Sequence, residues 1–131
     1  AGQVLKLSNR EARWAVIGAN GLSTPPTGAL DLPALIHRLG YVQLDTIRTV
    51  SRAHHHILWS RNQNYREPML WHALKHQRAL FEHFTHDASL LPIELYPLWR
   101  WQFRRLQTRF EKSKRWVKDT ALQAHIRERI A

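Results

Sequence analysis

Gln43 and Asp45 stand two residues apart in the segment Tyr41-Val42-Gln43-Leu44-Asp45-Thr46-Ile47. Alternation of this kind predicts a short strand or extended segment. Side chains two apart then share a side, so Gln43 and Asp45 face one way and Val42 and Leu44 the other. If Val42 and Leu44 are buried, an amide and a carboxylate are presented together. A carboxylate can take a proton from water and stabilise a neighbouring cationic centre. Glutamine, both donor and acceptor, can hold that water in line. The same residues also suit structural duty, with Asp45 capping the following helix and Gln43 bonding a neighbouring strand. On residue types alone, the structural use is the commoner one.

Residues 46–66 carry Arg48, Arg52, Arg61 and Arg66 with no acid among them, and His54, His55 and His56 add potential donors. Such a stretch can bind backbone phosphates, or it can be a solvated basic face with Tyr65 packed beneath it. Phosphate binding releases counterions and weakens steeply with salt. His72 and His76 are four apart on an expected helix, a spacing that can hold zinc. The metalloprotease glutamate is missing there, with Lys75 in its neighbourhood instead. His54, His55 and His56 cannot all face one ion on a regular helix, and no metal or cofactor is expected. From Leu95 onward, Trp99, Trp101, Phe103, Leu106 and Phe110 alternate with Arg100, Arg104, Arg105 and Arg109. Stacking and charge could grip nucleic acid there. Core duty suits Trp99 and Phe103, and surface contact suits Arg104 and Arg105.

The elements that must position these residues are legible from their caps. Ser8 and Glu11 form a capping box for a helix with Ala12, Ala15, Val16 and Ala19 on its apolar face. Asn20-Gly21 supplies a left-handed end. After the turn-rich stretch 23–28, Asp31 caps a helix with Pro33 in its first turn and Leu32, Leu35, Ile36 and Leu39 inward; Gly40 stops it. Residues 51–60 read as a helix capped by Ser51. Pro68–Gln77 reads as another, with Met69, Leu70 and Ala73 inward. Residues 79–86 and 88–92 read as one or two strands and a turn, the wing of a winged helix. A long basic helix from Leu95 breaks near Ser113, and Thr120–Ile130 is amphipathic. That last helix has no obvious stop, which suggests that further domain sequence follows. The expected fold is mainly α with a small β-sheet: a winged helix-turn-helix over residues 1–95, and over 96–131 a basic linker helix with the truncated start of a second module.

The chain has 131 residues, 20 Lys+Arg against 10 Asp+Glu, and no Cys. The length suits one domain or slightly more. Without Cys there are no disulfides, thiolate metal sites or thiol nucleophiles, which fits a reducing compartment. No apolar run approaches the ~20 residues of a membrane span, and the first residues do not read as a signal peptide. The net charge of +10 attracts polyanions. Arg outnumbers Lys by 15 to 5, and the forked guanidinium suits phosphate and guanine edges.

Taken in order, the Gln43-Leu44-Asp45-Thr46-Ile47 segment, Leu58-Trp59-Ser60-Arg61-Asn62-Gln63-Asn64-Tyr65, and Phe81-Glu82-His83-Phe84-Thr85-His86-Asp87-Ala88-Ser89 through Pro92 resemble the winged-helix DNA glycosylases of interstrand-crosslink repair, the YcaQ-like family. Leu7-Ser8 through Gly21-Leu22 and Ile36 through Ile47 extend the likeness over most of residues 5–105. The resemblance implies tandem winged helices that bind duplex DNA and hydrolyse the glycosidic bond of N7-alkylated guanine, crosslinked guanine included. The family's catalytic pair falls on Gln43 and Asp45. Such a base is already cationic and leaves readily, so the demand is for an activated water and a negative charge beside an oxocarbenium-like centre. Expected DNA contacts are Arg48, Arg52, Arg61, Arg66, His86, Arg104 and Arg105; His86 also suits a bond within the wing. The expected partner is double-stranded DNA carrying alkylated or crosslinked guanine. A monomer is expected, cytoplasmic and associated with the nucleoid. Two other readings compete: a non-catalytic winged-helix transcription regulator, and a protein-interaction domain with incidental charge. A regulator has no reason to aim Gln43 and Asp45 together at DNA, because an acid facing phosphate is repelled.

Overall fold

The computed structural model describes Val4, residues 6–113 and residues 119–130. Lys114, Arg115 and Lys118, part of the basic C-terminal region, lie outside the described residues. The chain divides into two compact units, one ending at Tyr96 and the other beginning at Pro97. The first unit is helical with a small antiparallel sheet: α1 (Asn9–Ala19), α2 (Leu32–Leu39), β1 (Val42–Gln43), α3 (Ala53–Arg61), α4 (Glu67–Lys75), β2 (Leu80–Phe84), β3 (Ala88–Pro92) and a 3₁₀ turn (Ile93–Leu95). The second unit holds nearly all of α5 (Tyr96–Lys112) and α6 (Thr120–Ile130). This architecture is compatible with a winged-helix-like fold. No helix among the described residues is long and apolar enough to cross a membrane.

Local chemistry sets the helix ends. Ser8 and Glu11 form the full capping box, with Glu11 Oε2 accepting from the Ser8 amide at 2.8 Å. Gly21 takes φ +68, and Leu22 N–H reaches Ile17 O while Gly21 N–H reaches Gly18 O, both at 3.0 Å. That pair of bonds is a Schellman end, which needs the left-handed conformation glycine permits. Asp31 accepts from Ala34 N–H at 3.0 Å and opens α2.

The core forms where α2, α4 and the sheet meet. α2 packs on β3 and α4, and α4 packs on β2. Ile36, Leu58, Leu70 and Leu90 are fully buried, with Val42, Tyr65, Ala73 and Leu80 beside them. Each such aliphatic side chain contributes about 1.5–3 kcal/mol by leaving water. The strand order is β1-β3-β2, so β1 is an edge strand. Val42 lies opposite Leu90 and Gln43 opposite Ser89, while Ser89 also faces His83 of β2. The one or two strands and turn expected over 79–92 are thus a two-stranded hairpin.

Four expectations need correction. The short strand or extended segment expected over 41–47 pairs as strand only at Val42–Gln43, because the Asp45 carboxylate accepts from Ile47 N–H at 2.8 Å and bends the chain out of the ladder. Ser51 does not cap α3. Its hydroxyl donates to Glu67 at 2.7 Å, a charged acceptor that outcompetes a neutral cap, and Arg52 takes the N-cap place without a side-chain bond. Met69 is exposed on α4 rather than inward, since Leu70 and Ala73 already fill the face toward the core. The apolar face of α1 is not buried: Ala12, Ala15, Val16 and Ala19 are all exposed, and Trp14 is as well.

Candidate active site

The residues around Asp45 are placed by an edge strand and a helix. Backbone groups of an antiparallel strand alternate between its two sides. Leu44 N–H donates to Ala88 O at 2.8 Å, so the Leu44 amide turns toward β3. The amide of Asp45, one residue on, turns toward the open edge. There it donates to Nδ1 of His54, on the first turn of α3, at 3.1 Å. The carboxylate is held by its Oδ1 on the Ile47 amide. Its second oxygen has no hydrogen-bond partner among the described residues, and the group makes no ion pair among them. Asp45 therefore closes a local turn and does not cap α3. Gln43 is half-buried, as is Asp45, and its amide makes no hydrogen bond among the described residues.

Behind Asp45 lies a buried polar layer. His54 is 1 % exposed and His55 is 5 % exposed, with ring centroids 4.1 Å apart. Burial pushes the His54 imidazole down to about 4, with His55 and Arg52 adding in the same direction. Burial also lowers His55, against the raising effect of Glu67. Both rings are neutral near pH 7. The Tyr65 phenol sits 2.8 Å from His55 Nδ1. Burial and the Glu67 charge raise that phenol, which stays protonated. His55 Nε2 then faces Glu67 Oε2 at 3.6 Å. Glu67 itself is held low, first by the Ser51 hydroxyl bond. A cavity of about 460 Å³ opens beside this layer, lined by Ser51, His55, Trp59, Arg66 and Glu67 among others.

The basic residues fall into distinct environments. Arg48 and Arg52 are exposed and joined by an isolated backbone bridge, which places them together on the segment leaving Asp45. Arg61 is half-buried. Its Nε donates to Asn20 O at 3.0 Å and its Nη1 to Ile57 O at 3.2 Å and Ser60 Oγ at 2.9 Å. This ties α3 to the C-terminal end of α1. Arg66 donates to Gln63 O and Tyr65 O, each at 2.7 Å, and shapes its own loop. His86, at the hairpin tip, meets Tyr41 edge-on at 6.4 Å, two residues from Gln43. In the second unit, Arg104 and Arg105 are exposed, with Arg105 above the Trp101 ring at 5.9 Å. Trp99 and Phe103 are half-buried there.

Gln43 thus ends β1 and Asp45 follows it, Arg48 and Arg52 pair on the segment beyond, and the His86 ring meets Tyr41. His54 was not singled out by sequence reasoning beyond its place in a histidine run. Only its helical phase, shared with buried Leu58 four residues on, could have marked it as inward. Among the described residues, no three His, Asp or Glu converge as a metal-ligand set.

Residues 36–131 match the family model described as DNA glycosylase AlkZ-like. The match takes in every residue expected at the site and leaves out α1. No solved structure matches the chain.

Proposed function

The chain belongs to the AlkZ-like DNA glycosylase family, and we propose that Gln43 and Asp45 are its catalytic pair, acting on N7-alkylated guanine in duplex DNA, crosslinked guanine included. One observation carries this reading. In a chain with twice as many basic as acidic residues, Asp45 is a half-buried carboxylate with an uncommitted oxygen and no cationic partner among the described residues. Every other acid among the described residues is exposed.

The reaction follows from the groups present. The bond between the sugar's anomeric carbon and N9 breaks, and its electron pair leaves with the alkylguanine, which becomes neutral. Positive charge then develops on the sugar, and the Asp45 carboxylate stabilises it. A water oxygen bonds the anomeric carbon, and its proton passes to the free oxygen of Asp45. The Gln43 amide, with its donors and acceptor open, orients that water. No covalent enzyme intermediate is required, so the activity is that of a monofunctional hydrolase. Reaching the anomeric carbon calls for extrusion of the base from the stack.

Phosphate contacts are assigned to Arg48 and Arg52, with Arg66, His86 and, from the second unit, Arg104 and Arg105. Arg61 contributes only its remaining terminal nitrogen, Nη2, because its other donors are committed. The second unit is read as a basic linker helix and the start of a further winged-helix module.

The test is excision of 7-methylguanine from duplex DNA by the full-length protein and its Asp45→Asn variant. Asp45→Asn is expected to abolish most excision while DNA binding persists. Undiminished excision by the variant rejects the assignment and leaves a basic binding module.

A further inference from the structure

We propose that His54 is a positioning residue, which sets the place of the Asp45 carboxylate by accepting the Asp45 backbone amide at Nδ1. The inference rests on the catalytic role assigned to Asp45 above. It goes beyond that role by naming what holds the carboxylate still.

At an open edge, an outward-facing amide ordinarily bonds to water. Here it bonds to the ring of a residue that is 1 % exposed and rooted in the core beside Leu58. A backbone N–H can only donate, so Nδ1 is the acceptor and the ring's proton sits on Nε2. That second nitrogen is buried and has no partner among the described residues. A buried donor without a partner costs free energy that a leucine in the same place would not. Core packing alone is therefore a poor account of an imidazole here, whereas the Asp45 bond accounts for it directly. Burial keeps the ring neutral, the state in which Nδ1 can accept.

Two bonds then define Asp45. His54 fixes its backbone from the α3 side, and Ile47 N–H fixes one carboxylate oxygen from the chain beyond. β1 ends at Gln43, so no ladder bond beyond that of Leu44 holds this stretch. Without the imidazole, the carboxylate keeps its local turn but loses its registration to α3. Catalytic groups need placement well within an ångström, and a shift of that size can cost a hundredfold in rate.

The experiment compares three variants in the full-length protein, by single-turnover excision of 7-methylguanine and by affinity for the same duplex. Asn places an acceptor where Nδ1 was, Gln places its amide nearer Nε2, and Leu offers no acceptor. His54→Leu and His54→Gln are expected to lower the excision rate between about tenfold and about a hundredfold, with affinity unchanged. His54→Asn is expected to recover most of the lost rate. The proposal is overturned if His54→Gln excises at the wild-type rate, or if His54→Asn is as slow as His54→Gln. Should His54→Leu fail to fold, the Asn and Gln pair, both polar and of similar size, still decides the matter. Asp45→Asn run alongside separates the two claims. If that variant excises normally, the catalytic reading and the positioning role fall together. If it is inactive while His54→Gln is not, the positioning role alone falls.

Discussion

Asp45 and Glu67 are two acids on either side of one histidine pair, and they are treated oppositely. Glu67 sits in the first turn of α4, where the helix dipole favours a negative charge. It accepts the Ser51 hydroxyl at 2.7 Å and faces His55 at 3.6 Å. Its Oε1 is committed to Ser51, which binds the approach of α3 to the start of α4. Asp45 has one oxygen on the next turn and the other open, and its backbone is gripped by His54. On the catalytic reading proposed for Asp45, the contrast sets a carboxylate used for cohesion against one used for chemistry. The first has its charge answered by partners, and the second has its position answered and its charge left over.

The largest effect expected from breaking this contrast comes at Asp45. Asp45→Asn should reduce excision by about 10²–10⁴ in single-turnover assays, the usual span of a lost general base. Its unfolding midpoint in urea should barely move. A variant that loses stability in step with activity would show that Asp45 resembles Glu67 after all.

Acid should act next, through the histidines. His54 binds its proton at about pH 4 in the fold and near 6.5 when unfolded. Between those values the unfolded chain holds more protons, so stability falls as pH drops from 6.5 to about 4, and the loss from this ring flattens below. The shift corresponds to roughly 3 kcal/mol. His54→Asn should remove most of this upper window in denaturant titrations run at several pH values. Glu67, whose carboxyl is held low, adds a separate loss that begins only below its ordinary value of 4.5. Glu67→Gln should remove that lower window.

Near neutral pH, Glu67→Ala should lower the unfolding midpoint in urea by releasing the Ser51 hydroxyl, while the excision rate per folded molecule stays within about twofold of wild type. A rate loss like that of Asp45→Asn would place Glu67 in the chemistry and undo the contrast. The smallest effect is expected at Arg48. Arg48→Ala should weaken duplex binding uniformly across sequences and lower the salt slope of affinity by about 1, measured by fluorescence anisotropy at several salt concentrations.

How much of this was legible beforehand depends on the range of each interaction. Ser8 with Glu11, Gly21, Asp31 and Gly40 mark helix ends through bonds between residues three to five apart, and the structure places those ends where the residues say. The hairpin over 80–92 follows from local pattern as well. Ser51 misled because its true partner is Glu67, sixteen residues away. The α1 face misled because periodicity announces an apolar side but not whether anything covers it. Arg61 reads in sequence as one more phosphate binder, yet its reach to Asn20 spans forty-one residues.

The sequence alone determines that Gln43 and Asp45 lie two apart on an extended segment between helices, in a chain whose charge suits DNA. It does so because strand alternation, caps and net charge are properties of neighbours or of sums. Only the folded chain decides that His54 grips Asp45 while His56, in the same run, faces solvent. Each step along a helix turns a side chain by about 100°, and which direction is inward is set by the α2, α4 and sheet surfaces that close around α3.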